Sequence, residues 1–177
     1  PVYDRPREAP AESPGVADDP AFLPYEGDLL GSLQTVLGAP NVASKRWVWQ
    51  QYDALVQGQT VAGAGSDAAI VRLPGTMKAL ALSTDGKGRF GSLDPYLGAM
   101  HAVAEAARNV AVTGARPLAI TNCLNFGNPE RPVVMWQFAE SIRGMRDACL
   151  ALDTPVTGGN VSFYNESAGS AIWPTPV

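Results

Sequence analysis

Two early segments of the chain carry hydrophobic residues at helical spacing. In residues 27–38 the apolar positions recur every three or four residues, which predicts a short amphipathic helix. The sequence Gly38-Ala39-Pro40 ends this helix, because proline disfavours helical backbone at the residue before it. Residues 45–56 predict a second short helix, and Ser44 is its expected N-cap.

Four segments farther along predict strands. Residues 67–73 and 78–84 flank the turn Pro74-Gly75-Thr76, which indicates a β-hairpin. Residues 116–122 form an apolar run that is typical of a buried strand. Residues 154–156 enter a last strand, which we expect to open into a glycine-rich polar loop.

Two long helices are predicted between these strands. The first begins at Asp94-Pro95, since aspartate is a good N-cap and proline suits the first helical position, and it ends near Thr113, before Gly114. The second spans residues 132–152. The positions expected on its inner side are Val134, Phe138, Ile142, Met145 and Leu150.

The order of these elements is two early helices followed by ββαβαβ. It predicts an α+β fold in which a mixed β-sheet carries the two long helices packed on one face. Right-handed crossovers then bring the loops that follow the strands to one edge of the sheet.

Three regions are expected along the chain: a proline-rich linker at 1–26, a helical lead-in segment at 27–63 and the α+β domain at 64–177. The sequence ends in an apolar, strand-like run. Because natural domains rarely leave such an edge exposed, we expect an excised piece of a longer polypeptide, truncated within its last domain.

Composition narrows the class of protein. Hydrophobic residues make up 46% of the 177 residues, which is typical of a globular chain with a sizeable core. The net charge of −4 argues against a nucleic-acid surface, and no apolar stretch approaches the length of a membrane span. Cys123 and Cys149 lie in apolar segments, so we expect buried free thiols in a reducing cytosol.

Three polar segments could carry chemistry. In residues 84–89, Asp85 beside glycines suits Mg²⁺, and Lys87 and Arg89 could neutralise phosphate charge. The alternative for this segment is a solvated β-turn. His101, the single histidine, sits in a helix of small residues, where a packing or surface role is the simpler interpretation.

The other two polar segments are rich in asparagine and glycine. Residues 121–129 contain three asparagines that can donate and accept hydrogen bonds, but a hydrogen-bonded turn is the better explanation of this segment taken alone. In residues 157–166, paired glycines let the backbone approach a phosphate closely. Neither a Walker loop nor a dinucleotide fingerprint is present, so this segment alone is weak evidence.

Several runs of the sequence are familiar in the same order in one enzyme family. They are residues 44–53, 65–69, 104–109, 122–129 and 158–165. Together they resemble the phosphoribosylformylglycinamidine synthase family, in the form of its multi-subunit synthetase, from about residue 40 to the end. The resemblance identifies the chain with the N-terminal-type domain of the second half of that synthetase.

The resemblance implies a fold like the N-terminal domain of the aminoimidazole-ribonucleotide synthetase superfamily. It implies a cytoplasmic ligase of purine biosynthesis that uses ATP and Mg²⁺. The implied reaction turns formylglycinamide ribonucleotide and glutamine-derived ammonia into formylglycinamidine ribonucleotide. A glutaminase subunit and a small bridging subunit are the implied partners, and neither nucleic acid nor membrane is expected.

The resemblance also implies roles for individual residues. Asn122, where many relatives have aspartate, and the backbone of Gly159 are implied to contact ATP. Asn160 is implied to bind Mg²⁺, and Ser162 to bind the substrate. The catalytic histidine of the family belongs to the other half, so no catalytic residue is expected here. Asp85 occupies a pseudo-symmetric position, and we hypothesise that it is a further Mg²⁺ ligand.

Two other interpretations remain open. The chain could be a structural or regulatory half with a non-catalytic nucleotide site, or it could belong to a selenophosphate or thiamine-phosphate enzyme of the same superfamily. The runs at 44–53 and 158–165 argue against the latter. We expect the isolated chain to be inactive and to self-associate as a dimer through its exposed sheet.

Overall fold

Helices and short strands alternate through residues 4–11, 27–52 and 55–175, the part of the chain that this computed structural model describes. The α-helices are α1 (Leu29–Gly38), α2 (Arg46–Trp49), α3 (Gly88–Leu93), α4 (Pro95–Ala111) and α5 (Pro132–Leu152). The strands are β1 (Thr60–Ala62), β2 (Ala69–Arg72), β3 (Ala79–Leu82), β4 (Ile120–Asn125), β5 (Val156–Ser162), β6 (Glu166–Ser167) and β7 (Ser170–Ala171). Most of the predicted linker at 1–26 lies outside the described residues.

The strands of the described residues form small sheets. Strands β1, β2 and β3 make an antiparallel sheet that contains the predicted hairpin, β4 and β5 pair in parallel, and β6 and β7 form a second hairpin. Asn125 also pairs with Thr175 in an antiparallel bridge, so pairing around β4 is mixed. The α+β class is confirmed, although the pattern predicts one mixed sheet where the described strands divide into separate sheets.

Both long helices follow their sequence signals. The carboxylate of Asp94 accepts a hydrogen bond of 2.9 Å from the backbone N–H of Leu97, which confirms the predicted N-cap of α4. Gly114 has φ +87°, a conformation that suits the residue after a helix end. Helix α5 has the predicted bounds, residues 132 to 152.

Two predictions for the second short helix are wrong, and a further helix was not predicted. Helix α2 stops at Trp49 because none of its residues is buried, and packing is what usually sustains so short a helix. Lys45 is its N-cap, while Ser44 only accepts from the N–H of Arg46 at 3.3 Å. The glycine-rich residues 88–93 form α3, which glycine content alone does not predict.

The predicted bounds of the two parallel strands are also wrong. Strand β4 begins at Ile120, four residues later than expected, where the backbone N–H of Ile120 donates to the carbonyl of Pro155 at 2.9 Å. The predicted glycine-rich loop after residue 156 is strand β5, since its backbone pairs with β4 through Ser162. Polar and glycine residues therefore occupy strand positions there.

The hydrophobic core lies between α4, α5 and β4. Its buried members are Ala99, Val103, Ile120, Leu124, Phe126, Val134, Met145, Ala148 and Cys149. The ring of Phe126 meets that of Phe138 edge to face, with centroids 5.3 Å apart. These contacts attach the parallel pair to one side of α5.

Small residues, more than large ones, line the face of α5 that meets α4. A Cβ atom on Gly144 would overlap the carbonyl oxygen of Tyr96, and Ser141 and Ala148 are buried nearby. Ile142 and Leu150, which were predicted on the inner side, are 39% and 74% exposed. Close helix packing therefore turns the larger aliphatic residues outward.

A hydrogen bond between side chains also links α4 to α5. The hydroxyl of Tyr96 donates to Asp147 at 3.0 Å, and Arg146 donates to the other oxygen of that carboxylate at 2.8 Å. The bond from Arg146, with that from Tyr96, lowers the pKa of Asp147. The hydrogen bond to Asp147 raises the pKa of Tyr96.

Leu124→Ala should destabilise the chain by about 2–5 kcal/mol, because Leu124 is 2% exposed and its removal leaves a cavity in the core. Urea unfolding followed by circular dichroism measures this change. Leu118→Ala, at a position that is 66% exposed, is the matched control and should change the free energy of unfolding by less than about 0.5 kcal/mol. Equal effects of the two changes would contradict this assignment of the core.

Asp147→Asn should lower stability at pH 7 and flatten its acid dependence. Because the folded pKa of Asp147 is depressed, its contribution is present above the unfolded pKa and is lost as the pH falls below about 4. Urea midpoints from pH 7 to pH 2 test this, with exposed Asp67→Asn as control. The idea fails if both variants keep the original acid dependence.

Candidate functional site

The parallel pairing of β4 with β5 brings together four of the five residues predicted to bind ligands. Asn122 lies opposite Gly159, and Ser162 lies opposite Asn125. Asn160 follows Gly159 on β5 and faces Cys123 across the pair. We call this pair of strands, residues 120–125 and 156–162, the ladder. It brings residues that are far apart in sequence together near the carboxyl ends of both strands.

The two faces of this ladder differ. Asn122 is on the face that meets α5, where its Nδ2 donates weakly to the buried Met145 Sδ at 3.8 Å. Side chains alternate along a strand, so Cys123 and Asn160 belong to the opposite face, and both are exposed. The predicted burial of Cys123 is therefore wrong, whereas Cys149 is buried as predicted.

Gly159 is required by a close approach of the two strands. Its φ is +149°, and a Cβ atom there would overlap both the side-chain oxygen and the carbonyl oxygen of Asn122. A Cβ atom on neighbouring Gly158 would meet nothing within 4 Å. A side chain at position 159 would therefore displace the Asn122 amide, whereas a side chain at position 158 would not.

Ser162 ends β5 in a hydrogen-bonded turn. The amide of Asn165 donates to the carbonyl of Ser162 at 3.0 Å, to its hydroxyl at 3.1 Å and to the carbonyl of Phe126 at 3.1 Å. The Ser162 hydroxyl donates back to the side-chain Oδ1 of Asn165 at 3.3 Å. This turn holds the hydroxyl at the carboxyl end of the ladder, beside the core residue Phe126.

Asp85, the fifth predicted residue, belongs to a different hydrogen-bond group. Asn109 of α4 donates to its Oδ1 at 2.8 Å. Its Oδ2 is buried and has no hydrogen-bond partner among the described residues. An unpartnered carboxylate oxygen is compatible with a cation, although no cluster of three acidic, histidine or cysteine ligands exists among the described residues.

The cations near Asp85 contact aromatic rings. Lys87 Nζ lies 4.8 Å from the ring centre of Phe90, and Arg89 stands 5.5 Å from that of Trp173. His101 is exposed on α4, with its ring centre 5.9 Å from that of Phe90. The histidine thus has the packing and surface environment that the sequence indicates.

A groove that sequence reasoning missed runs along α5 to the ladder. It encloses about 510 Å³. Its lining residues are Asn122, Ile142, Met145, Arg146, Cys149, Leu150, Asp153, Thr154, Pro155 and Val156. No sequence signal indicated it, because Ile142 and Leu150, which border it, were predicted on the inner side of the helix. Another concavity, of about 420 Å³ by the β2–β3 turn, shares no residue with the ladder.

The described residues contain no helix that is both long and apolar enough to cross a membrane.

Comparison with known proteins identifies relatives of this fold and sequence. The profile of the family described as "AIR synthase related protein, N-terminal domain" matches residues 65–176. "Phosphoribosylformylglycinamidine synthase subunit PurL" of Moorella thermoacetica is 58% identical over 178 residues, covering 100% of this chain and 24% of that protein. The protein of the same name from Thermobifida fusca is 55% identical, with the same shares covered. The chain thus spans about a quarter of the length of these curated relatives.

Solved structures agree with these matches. "T. maritima PurL complexed with ATP" has a TM-score of 0.66 and 34% identity, and covers 76% of this chain and 22% of that chain. "T. maritima PurL complexed with FGAR" has a TM-score of 0.64 and 35% identity, with the same shares covered. Both are structures of the Thermotoga maritima protein.

Gly159→Ala should destabilise the chain by about 1–3 kcal/mol, because the new methyl group meets Asn122 and the backbone must leave its positive φ. Thermal unfolding measures the change. Gly158→Ala, one residue away on β5, is the matched control and should leave the melting temperature nearly unchanged. A similar melting temperature for both variants would refute the steric role of Gly159.

Proposed function

Because the chain belongs to the AIR synthase related protein family, through its N-terminal domain, we propose that it forms part of a phosphoribosylformylglycinamidine synthase. The supporting observation is identity of 58% across the whole chain with a protein of that name. The proposed reaction is the ATP-dependent conversion of formylglycinamide ribonucleotide and glutamine-derived ammonia to formylglycinamidine ribonucleotide, in the biosynthesis of purines.

The proposed roles divide along the ladder. The amide of Asn122 and the backbone of Gly159 contact ATP, and the hydroxyl of Ser162 binds the phosphate or ribose of the substrate. Support comes from their adjacency in the β4–β5 register and from relatives solved with ATP and with FGAR. The chain supplies binding and orientation, and no residue of it is assigned to proton transfer, His101 included.

Mg²⁺ fits two of the described residues. Asn160 offers an exposed amide oxygen next to the proposed ATP contact, and Asp85 offers a buried carboxylate oxygen without a partner. Mg²⁺ typically takes few protein ligands and completes its shell with phosphate oxygens and water. Bound at either residue, Mg²⁺ would neutralise charge on the phosphates of the nucleotide. Asn109 would orient the Asp85 carboxylate through its hydrogen bond.

The proposed reaction activates the substrate amide oxygen with ATP, after which ammonia displaces the phosphate. We propose that a glutaminase subunit and a small bridging subunit deliver the ammonia, and that the assembly is cytoplasmic. The printed name "subunit" of the relatives supports assembly with further chains. The isolated chain should be inactive, because the catalytic histidine that the resemblance implies lies in the other half.

A dimer of the isolated chain is part of this proposal. The antiparallel sheet exposes large apolar side chains in the described part of the molecule: Val61 is 64% exposed, Leu80 is 48% exposed and Leu82 is 55% exposed. Exposed apolar surface of this kind favours association. Sedimentation at increasing concentration tests it, and a strictly monomeric chain contradicts it.

A structural or regulatory half with a tightly held, unreactive nucleotide is the second candidate. The observation that favours it is the neutral character of the ladder, where Asn122 and Asn160 supply amides and no carboxylate. Turnover distinguishes the two candidates. A bound nucleotide that stays intact in the complete enzyme, under conditions in which substrate is converted, identifies the second.

Asn160→Ala should weaken binding of Mg·ATP by at least about tenfold, because the amide oxygen proposed to hold the metal is removed. Calorimetric titration of the 177-residue chain with Mg·ATP and Mg·ADP measures the affinity. Asn41→Ala, an exposed asparagine in an early turn, is the control and should leave it unchanged.

Equal affinities of the Asn160 variant and the control, in folded samples, would remove Asn160 from the site. If the folded chain does not bind Mg·ATP at all, its proposed autonomous nucleotide site is wrong. The ladder would then act only together with ligands from the rest of the enzyme.

A further inference from the structure

The turn after β5 contains a residue in a backbone conformation that its side chain disfavours. Tyr164 has φ +60°, and a bulky residue with positive φ is an outlier among protein structures. Its backbone N–H donates to the carbonyl of Gly127 at 3.0 Å. Such a conformation persists where surrounding contacts impose it, and it is concentrated at functional sites. Here it reverses the chain, so that the side chain of Asn165 returns to Ser162.

Asn165 connects three segments of the chain. Its backbone N–H donates to the carbonyl of Phe126 at 3.1 Å, and its carbonyl accepts from the N–H of Ile172 at 3.0 Å. Its side-chain Nδ2 donates to the carbonyls of Phe126 and Ser162 at 3.1 Å and 3.0 Å. Because Phe126 is a buried core residue, these bonds fix the position of the amide.

The hydroxyl of Ser162 lies between this amide and the open face of the ladder. Ser162 follows Asn160 by two positions on β5, so the two side chains share one face. Within the described part of the chain, the hydroxyl has hydrogen bonds to Asn165 and to no other residue. Since Ser162 is only half-buried, a ligand on this face can reach it.

The amide also determines where the hydroxyl proton of Ser162 can point. Nδ2 of Asn165 donates to the hydroxyl oxygen at 3.1 Å, and an oxygen in place of Nδ2 would face two carbonyls. The hydroxyl proton is directed at Oδ1 at 3.3 Å, the longest of these side-chain bonds. A hydroxyl has one proton to donate, so a ligand oxygen can replace Oδ1 as its acceptor while Nδ2 still holds the hydroxyl.

We propose that Asn165 is a positioning residue of the substrate site, which sets the Ser162 hydroxyl to donate to an acceptor oxygen of the substrate. The inference rests on the proposed function, in which Ser162 binds the phosphate or ribose of the substrate, and it adds a residue to that site. Asn165 acts on binding through Ser162. Tyr164 contributes through its backbone, because its left-handed conformation returns the amide to the end of β5.

Steady-state kinetics of the full-length synthetase that contains this chain test the proposal. Formylglycinamide ribonucleotide is the varied substrate, and an ammonium salt supplies the ammonia. Ser162→Ala and Asn165→Ala should each raise KM by about tenfold and change kcat by less than about twofold, because each removes a hydrogen bond that serves binding. Added to Ser162→Ala, the Asn165→Ala change should raise KM by less than about twofold, since its effect passes through the hydroxyl.

Asn128→Ala is the matched control. Asn128 is half-buried like Asn165 and holds a neighbouring turn, where its Oδ1 accepts from the N–H of Glu130 at 2.8 Å. Its removal should leave KM unchanged. Melting temperatures show whether each variant folds, and Asn165→Asp, which keeps the size and lacks the donor, replaces Asn165→Ala if the latter does not. If neither folds, the amide is required by the fold itself and the positioning role is overturned.

The outcomes separate this inference from the proposed function. If Ser162→Ala raises KM but Asn165→Ala does not, or if their effects multiply in the double variant, the positioning role is overturned while the proposed function stands. If Ser162→Ala leaves KM unchanged, the proposed contact of Ser162 with the substrate is wrong, and the positioning role with it. An unmodified synthetase that does not convert the substrate overturns the proposed reaction and this inference together.

Discussion

Close packing of α4 against α5 is the constraint on which the candidate site depends. The helices approach until Gly144 has room only for hydrogen against the Tyr96 carbonyl, and the Tyr96–Asp147 bond fixes their alignment. Helix α5 is the crossover between β4 and β5, so its placement sets where the second strand can pair. A larger residue at position 144 would move the support beneath Asn122.

The ladder turns this constraint into a site. Parallel pairing places Asn122 against Gly159, and the close contact there is possible because position 159 has no side chain. Asn160 and Asn122 then lie on opposite faces of a thin, two-stranded layer. A ligand that contacts both must pass along the exposed edge of β5 or its carboxyl end, where Ser162 is held by Asn165.

The features of this fold that could be predicted from sequence are those set by residues close together in the chain. Asp94 caps α4 as expected, because the cap bond joins residues three apart. The end of α2 and the start of β4 at Ile120 were not predicted, since they depend on burial and on pairing with distant residues. Cys123 was misassigned for the same reason, because strand register decides which face it occupies.

The binding roles of Asn122, Gly159 and Asn160 were predicted from the resemblance to a known enzyme family, because asparagines and glycines by themselves form no distinctive sequence pattern. What the fold adds is their chemistry: Asn122 borders an apolar groove with its amide, Asn160 faces solvent, and the one candidate carboxylate, Asp85, is partnered by Asn109. A neutral amide binds a ligand through directed hydrogen bonds, and it attracts a cation less strongly than a charged carboxylate does. Under the proposed function, this chain therefore contributes recognition and alignment, and the charge that drives phosphoryl transfer has to come with Mg²⁺ and from residues elsewhere in the enzyme.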